Sequence, residues 1–217
     1  MKLYWTPARG FHDREGYKVD WIVLHYTAAS YPGDLNYLAR SPWPGCASAH
    51  FYIRKNGDIH QMVRLENAAH HAGIVWKIKG TWQYKRWKAL RPNERSVGIE
   101  IENMGTEEFT QEQYTALEFL LPALLWKYRI YPKTMPDPYR GCDPSAKKDA
   151  YDIEDFEGFR GLLAHGNIHY SKVDPGLKFD WSRLMSCEPI YIPGCLTAFQ
   201  NAILNSDFRF FNGERYA

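Results

Sequence analysis

The chain has 217 residues, of which 45% are apolar and 24% charged, with a formal net charge of +2. That length suits one domain with a full core, and the apolar share excludes a disordered chain. A charge so close to zero gives no footprint for nucleic acid, and no run approaches the roughly eighteen apolar residues that a membrane span needs.

Residues Met1 to Gly10 lack the apolar core of a signal peptide, so the expectation is a protein made in the cytoplasm, or one whose leader has been removed. Eight Trp and fifteen Tyr suit either an aromatic core or a surface that grips sugars. Four cysteines match no zinc-ribbon spacing. Cys187 and Cys195 flank a Pro-containing loop and could pair in an oxidising compartment, as could Cys46 and Cys142.

In chain order, residues 20 to 27 make the first strand. Trp21 to Leu24 run without a polar break, and period-two alternation puts Trp21, Val23, His25 and Thr27 on one face. Residues 30 to 45 carry three prolines and two glycines around a short helix expected at Asp34 to Arg40. A hairpin follows, Ser48 to Arg54 and Asp58 to Val63 about the Asn56-Gly57 turn. His50 sits on its polar face as a candidate lining residue. In Ala68-Ala-His-His-Ala-Gly73 the adjacent histidines point opposite ways on extended backbone, so one of them can face a given pocket.

Trp76 to Arg91 alternates basic and aromatic residues without clear periodicity and reads as a surface loop, with Trp76 a candidate contact for a glycan or peptide. Ser96 to Asn103 is a strand with Val97, Ile99 and Ile101 on one side and Gly98, Glu100 and Glu102 on the other. Two carboxylates on one strand face repel unless a cation stands opposite. A helix runs from Gln111 to about Ile130, opened by a Thr110–Gln113 capping box and a Phe109–Tyr114 staple. Its leucines recur at helical spacing, and Pro122 predicts a kink or break. Residues 131 to 160 look like a long excursion before a last strand, Leu162 to His165, with short helices expected at Trp181 to Ser186 and Leu196 to Leu204.

Chemistry concentrates between His165 and Gly176. An imidazole, the Lys172 ammonium and the Asp174 carboxylate lie there, with Asp174 in an Asp-Pro-Gly turn that restricts its direction. With His25, the set is the inventory of a catalytic zinc site, three protein ligands and an open fourth position.

Five pieces in order, Val23-Leu-His25-Tyr-Thr27, Ser48-Ala-His-Phe-Tyr-Ile53, His71-Ala-Gly73, Ser96-Val-Gly-Ile-Glu100 and His165 to Gly176, resemble one family. It is the zinc-dependent N-acetylmuramoyl-L-alanine amidases that share the fold of peptidoglycan recognition proteins. The resemblance covers roughly residues 18 to 182 of a single domain, 1–217, with 131–160 as an insert and 187–217 as an extension. It implies a mixed α/β fold: a central sheet of about five strands, mixed to mostly antiparallel, flanked by helices.

The resemblance also makes His25, His165 and Asp174 ligands of Zn2+, aligns Glu100 with the catalytic Glu, and aligns Lys172 with the Lys two places before the ligand Asp. His71, His50 and Trp76 become the substrate-contact candidates; where the family has Trp before the first of these, this chain has His70. The implied partner is peptidoglycan, with no nucleic acid. The implied reaction is hydrolysis of the amide between N-acetylmuramic acid and L-alanine. A phage endolysin or other lysin acting on the wall is the first setting, an enzyme recycling anhydro-muropeptides in the cytoplasm the second, and a non-catalytic binding module the rival. Glu100 would shuttle the proton to the leaving amine, and Lys172 would steady the oxyanion.

Overall fold

The computed structural model describes residues 1–40, 47–73, 82–145, 149–185 and 204–205. Its centre is a six-stranded mixed sheet in the order β1-β5-β4-β7-β3-β8. In chain order these strands are β1 (Leu3–Trp5), β3 (Trp21–Tyr26), β4 (Phe51–Ile53), β5 (Ile59–Gln61), β7 (Ser96–Ile101) and β8 (Gly161–Ala164); β2 (Phe11–Asp13) and β6 (Asn67–Ala69) form a separate antiparallel pair. The expected mixed sheet is present with one more strand than anticipated, and it is mostly parallel where a mostly antiparallel pairing was among the expectations. One of its five pairings, β4 with β5, is antiparallel, and the other four are parallel. The Asn56-Gly57 turn joins the antiparallel pair directly, whereas each parallel neighbour needs a crossover.

Alternation along the central strands decides what each face carries. Ile22, Leu24, Val97, Ile99, Ile101 and Leu162 pack with Leu117, Leu120, Leu121, Leu124 and Leu125 of the long helix α3 (Gln111–Tyr128) in the main core. Trp21, Val23 and Leu163 face the other way, into a smaller cluster with Leu90, Tyr151 and Phe156. His25 and Glu100 belong to that second face, at the strand ends where the apolar cover stops. Three shorter helices, α1 (Gly33–Arg40), α2 (Trp82–Leu90) and α4 (His165–Ile168), and a fourth, α5 (Ser182–Met185), complete the named elements.

Helix α3 starts as expected: the Thr110 hydroxyl accepts from the Gln113 amide, and the Gln113 side chain accepts from the Thr110 amide. Pro122 does not end it. The proline is buried among fully buried leucines, and that packing outweighs the lost backbone bond, a cost of about 3 kcal/mol.

The surface loop expected over 76–91 is in part a helix. Residues Trp82–Leu90 form α2, anchored by Leu90 and by the buried Arg86, whose guanidinium donates to the carbonyls of Ile168 and Tyr151. The sequence there carries little periodic signal, and the anchoring arginine contributes none. The last strand ends at Ala164, and His165 opens α4 because Asn167 Oδ1 accepts from the Ala164 amide. The described part of 131–160 holds a single 3-10 turn, Glu154–Phe156, and a bridge from Thr134 to Leu162. It is nonetheless packed, with Met135, Cys142, Tyr151 and Phe156 buried. Cys142 has no disulfide partner among the described residues. Cys46, Cys187, Cys195 and, save Leu204, the helix expected at 196–204 lie outside the described residues.

Candidate active site

Parallel pairing brings the site together. β3 and β7 run side by side with His25 directly opposite Glu100. β8 flanks β3 on its other edge and delivers His165 one residue past its end. The turn after Lys172 folds back, its Asp174 carbonyl accepting from the Gly166 amide. As a result His25 Nδ1 lies 2.8 Å from Asp174 Oδ2 and 3.0 Å from His165 Nδ1, and His165 Nδ1 lies 3.0 Å from Asp174 Oδ2. All three side chains are buried.

A relay of hydrogen bonds fixes which nitrogen of His25 faces this point. The Ser96 hydroxyl donates to the Pro92 carbonyl, so it accepts from His71 Nε2 at 3.0 Å. His71 Nδ1 is then bare and accepts from His25 Nε2 at 2.9 Å. His25 Nδ1 therefore turns a lone pair toward His165 and Asp174. Asn93 Oδ1 accepts from the His71 and Ala72 amides and holds the prop in place. Gly98 leaves room for it, because a Cβ there would stand 2.3 Å from the His71 ring.

Two imidazole nitrogens and a carboxylate oxygen pressed to within 3.0 Å repel one another unless a proton or a cation lies among them. Two histidines and one carboxylate are a donor set for zinc, and ligating histidines have an outer hydrogen-bond partner of the kind His71 gives His25. The residues present thus fit a zinc ion.

The electrostatics agree. Burial alone would raise the Asp174 carboxyl, yet His165 and His25 outweigh it and hold the group well below the usual range. Burial pulls His165 down, against Asp174. His71 is pulled well down by burial and then by the imidazoles around it. Glu100 is pushed up to about 7, first by burial and further by Asp174, with His25 opposing. Its Oε2 has no hydrogen-bond partner among the described residues.

These groups line a groove of about 650 Å³ that also takes in Lys172, Tyr26, and Asp34 and Tyr37 of α1. Of the residues singled out from sequence, His165, Asp174, Glu100, Lys172 and His71 line it, and His25 is buried directly behind, against Asp174 and His165. His50 does not line it. It is fully buried behind His71, ring centroids 5.7 Å apart, with Nδ1 accepting from the Gly98 amide and Nε2 3.0 Å from the Asn67 carbonyl. Trp76 lies outside the described residues. The expected split of the adjacent histidines is present: His71 turns to His25, and His70 turns to His12 at 2.9 Å. Sequence reading missed Asp34, whose carboxylate accepts from the Tyr52 hydroxyl and the Leu35 amide beside the groove. It also missed Ser96 and Asn93, which no local pattern marks.

The profile of the N-acetylmuramoyl-L-alanine amidase family matches residues 15–177. The chain belongs to that family. Among curated amidases it is 31% identical over 140 residues to the 1,6-anhydro-N-acetylmuramyl-L-alanine amidase AmpD of Haemophilus influenzae, covering 64% of this chain and 57% of that relative. The chain thus spans little more than half the length of that enzyme. Among solved structures, an AmpD derivative superposes with a TM-score of 0.57 at 24% identity, covering 86% of this chain and 94% of the other, which shows the amidase fold. The Escherichia coli amidase AmiD, in complex with the substrate anhydro-N-acetylmuramic acid-L-Ala-D-gamma-Glu-L-Lys, gives 0.52 at 26% identity over 83% of this chain and 60% of that one. The family match spans every groove residue named above, from Tyr26 to Asp174.

Proposed function

We propose that this amidase-family chain hydrolyses the amide between N-acetylmuramic acid and L-alanine, with zinc held by His25, His165 and Asp174. The observation that carries the reading is the convergence of those three donors beside Glu100 in an open groove. Zinc, when bound, supplies Lewis acidity that makes water a nucleophile at neutral pH.

The chain's own residues account for the rest. Asp174 contributes the one anionic donor, and the Ser96–His71–His25 relay keeps the His25 lone pair aimed. Glu100 is the proton shuttle: a carboxyl near 7 takes a proton from the attacking water and returns it to the leaving L-alanine amine. Lys172, on the same groove wall, stabilises the oxyanion of the tetrahedral intermediate, a contribution of about 3 kcal/mol where such donors have been removed. His71 acts through His25 rather than on substrate. His50 belongs to the packing behind it.

Peptidoglycan fragments are the substrate class. The name of the Haemophilus influenzae relative favours a second form of it, soluble anhydro-muropeptide, beside the intact wall of a lysin. No helix among the described residues is long and apolar enough to cross a membrane. Purified sacculi and soluble anhydro-muropeptide are digested in parallel, with and without a chelator, and the products weighed by mass spectrometry. Stem peptides beginning with L-alanine, lost with chelator and restored by zinc, are the expected products. Absence of cleavage on both substrates refutes the reading, and leaves a binding module on the same fold.

A further inference from the structure

A second cleft, of about 570 Å³, opens at the far end of the sheet from the catalytic groove. Val19 and Arg160, which line it, stand just before β3 and β8, whose other ends carry His25 and His165. Six strand residues at about 3.3 Å each separate the two sites by roughly 20 Å, so this cleft is no extension of the groove.

Its charge is the reason to ask what it holds. Arg14, Lys18, Lys127, Arg129 and Arg160 line it against one carboxylate, Glu66. The local balance of +4 exceeds the +2 of the whole chain, so the rest of the surface is close to neutral. Arg160 is answered by Asp20, and Lys127 donates to the Leu204 carbonyl. Lys18 and Arg129 are exposed, and neither has an ion-pair or side-chain hydrogen-bond partner among the described residues.

Arg14 is the more telling residue. It is 7% exposed, and its guanidinium donates to the carbonyls of Leu65, Glu94 and Ser96 at 3.0, 2.7 and 2.9 Å. Its Nη2 lies 2.9 Å from His50 Nε2, and no carboxylate among the described residues forms an ion pair with it; Glu94 and Glu66 act on its charge only from beyond ion-pair distance. A buried cation whose counter-charges stand beyond ion-pair distance is costly, and an anion entering the cleft offsets part of that cost.

We infer that this cleft binds a single-chain phosphodiester polyanion of the cell wall, a polyol-phosphate chain, while the groove works on the peptidoglycan. A cleft of about 570 Å³ suits one thin flexible chain better than the wide, rigid cylinder of a nucleic-acid duplex. Engaging two components of one wall about 20 Å apart makes the second contact intramolecular and raises residence on the wall without any new catalytic group. The inference rests on the wall-acting form of the proposed function for its source of ligand, though not for its test.

The test is titration of the full chain with a fluorescently labelled glycerol-phosphate polymer of about ten repeats, at about 50 and 200 mM salt. Binding should weaken at least tenfold across that range, as phosphate contacts do, and at least tenfold more in the K18E/R129E double variant. Both positions are exposed, so the fold should survive, and hydrolysis of a soluble muropeptide by the variant should stay unchanged. Polymer-bearing walls should be digested several-fold more slowly by the variant. Equal binding by wild type and variant, or a DNA duplex of matched charge binding as tightly as the polymer, overturns the inference. Because binding needs no turnover, a chain that holds the polymer yet cleaves neither substrate sinks the amidase reading alone.

Discussion

Glu100→Gln should make the metal-free protein more stable while abolishing turnover. The Glu100 carboxyl is raised from its ordinary 4.5 to about 7, chiefly by burial and then by Asp174, with His25 and Lys172 opposing. At about 1.4 kcal/mol per pKa unit, the whole displacement corresponds to about 3 kcal/mol. The residue is only half-buried at the groove wall, so solvent screens part of this and about 1–2 kcal/mol remains.

Between pH 4.5 and 7 the native state keeps a proton that the unfolded chain has released, so wild-type stability falls as pH rises through that window. Glutamine has nothing to titrate, and its curve lacks the fall. Urea unfolding of chelator-treated wild type and variant, at pH 5 and pH 8, measures the difference. The gap should be near zero at pH 5 and about 1–2 kcal/mol in favour of the variant at pH 8, or about 2–8 °C in Tm for a chain of this size. A gap of equal size at both pH values refutes burial of the carboxyl as its origin.

Other outcomes follow from the same geometry. Gly98→Ala puts a methyl 2.3 Å from the His71 ring; it should cost about 1–3 kcal/mol and, by moving the prop of His25, lower zinc affinity about 10–100-fold in a chelator competition. Unchanged affinity would detach His71 from the metal site. Asp174→Asn removes the only anionic donor of the cluster, and elemental analysis after dialysis should find zinc well below one per chain. Full occupancy would unseat that ligand. Gln61 is fully buried, and neither of its side-chain polar atoms has a partner among the described residues, so Gln61→Leu should leave activity intact and stabilise by about 1–2 kcal/mol. A loss of stability in thermal unfolding would show that the amide is satisfied after all.

Much of the site could be read in the sequence because its parts sit at punctuation. His25 ends an unbroken apolar run, Glu100 stands in a strand whose alternation is clean, and Asp174 is fixed by an Asp-Pro-Gly turn. The Asn56-Gly57 hairpin and the capping box of α3 were legible for the same reason, each being a local rule satisfied by adjacent residues. What escaped was whatever depends on partners distant in sequence. β1 and β2 are three residues long, too short for any period to emerge, and they exist because β5 and β6 offer them edges. α2 is held in part by Arg86, which reaches two carbonyls more than sixty residues away. His50 shares a hairpin face with polar neighbours, and nothing local says that His71 will lie in front of it. The prop of His25 by His71, Ser96 and Asn93 is likewise a fact of folding rather than of pattern.

One contact in the long segment before β8 bears on how this protein can change. Gly141 and Gly166 meet backbone to backbone: a Cβ on the first would lie 2.3 Å from the Gly166 carbonyl oxygen, and one on the second 2.8 Å from the Gly141 oxygen. A side chain at either place cannot be accommodated by shrinking the other, since neither has anything to give up. The two positions have no stepwise route of exchange, and Gly166 is the residue after His165. The segment is therefore moored to the His25–His165–Asp174 cluster at a point that substitution cannot loosen gradually. Shortening this chain toward a more compact amidase would have to rebuild the support of His165 in a single step.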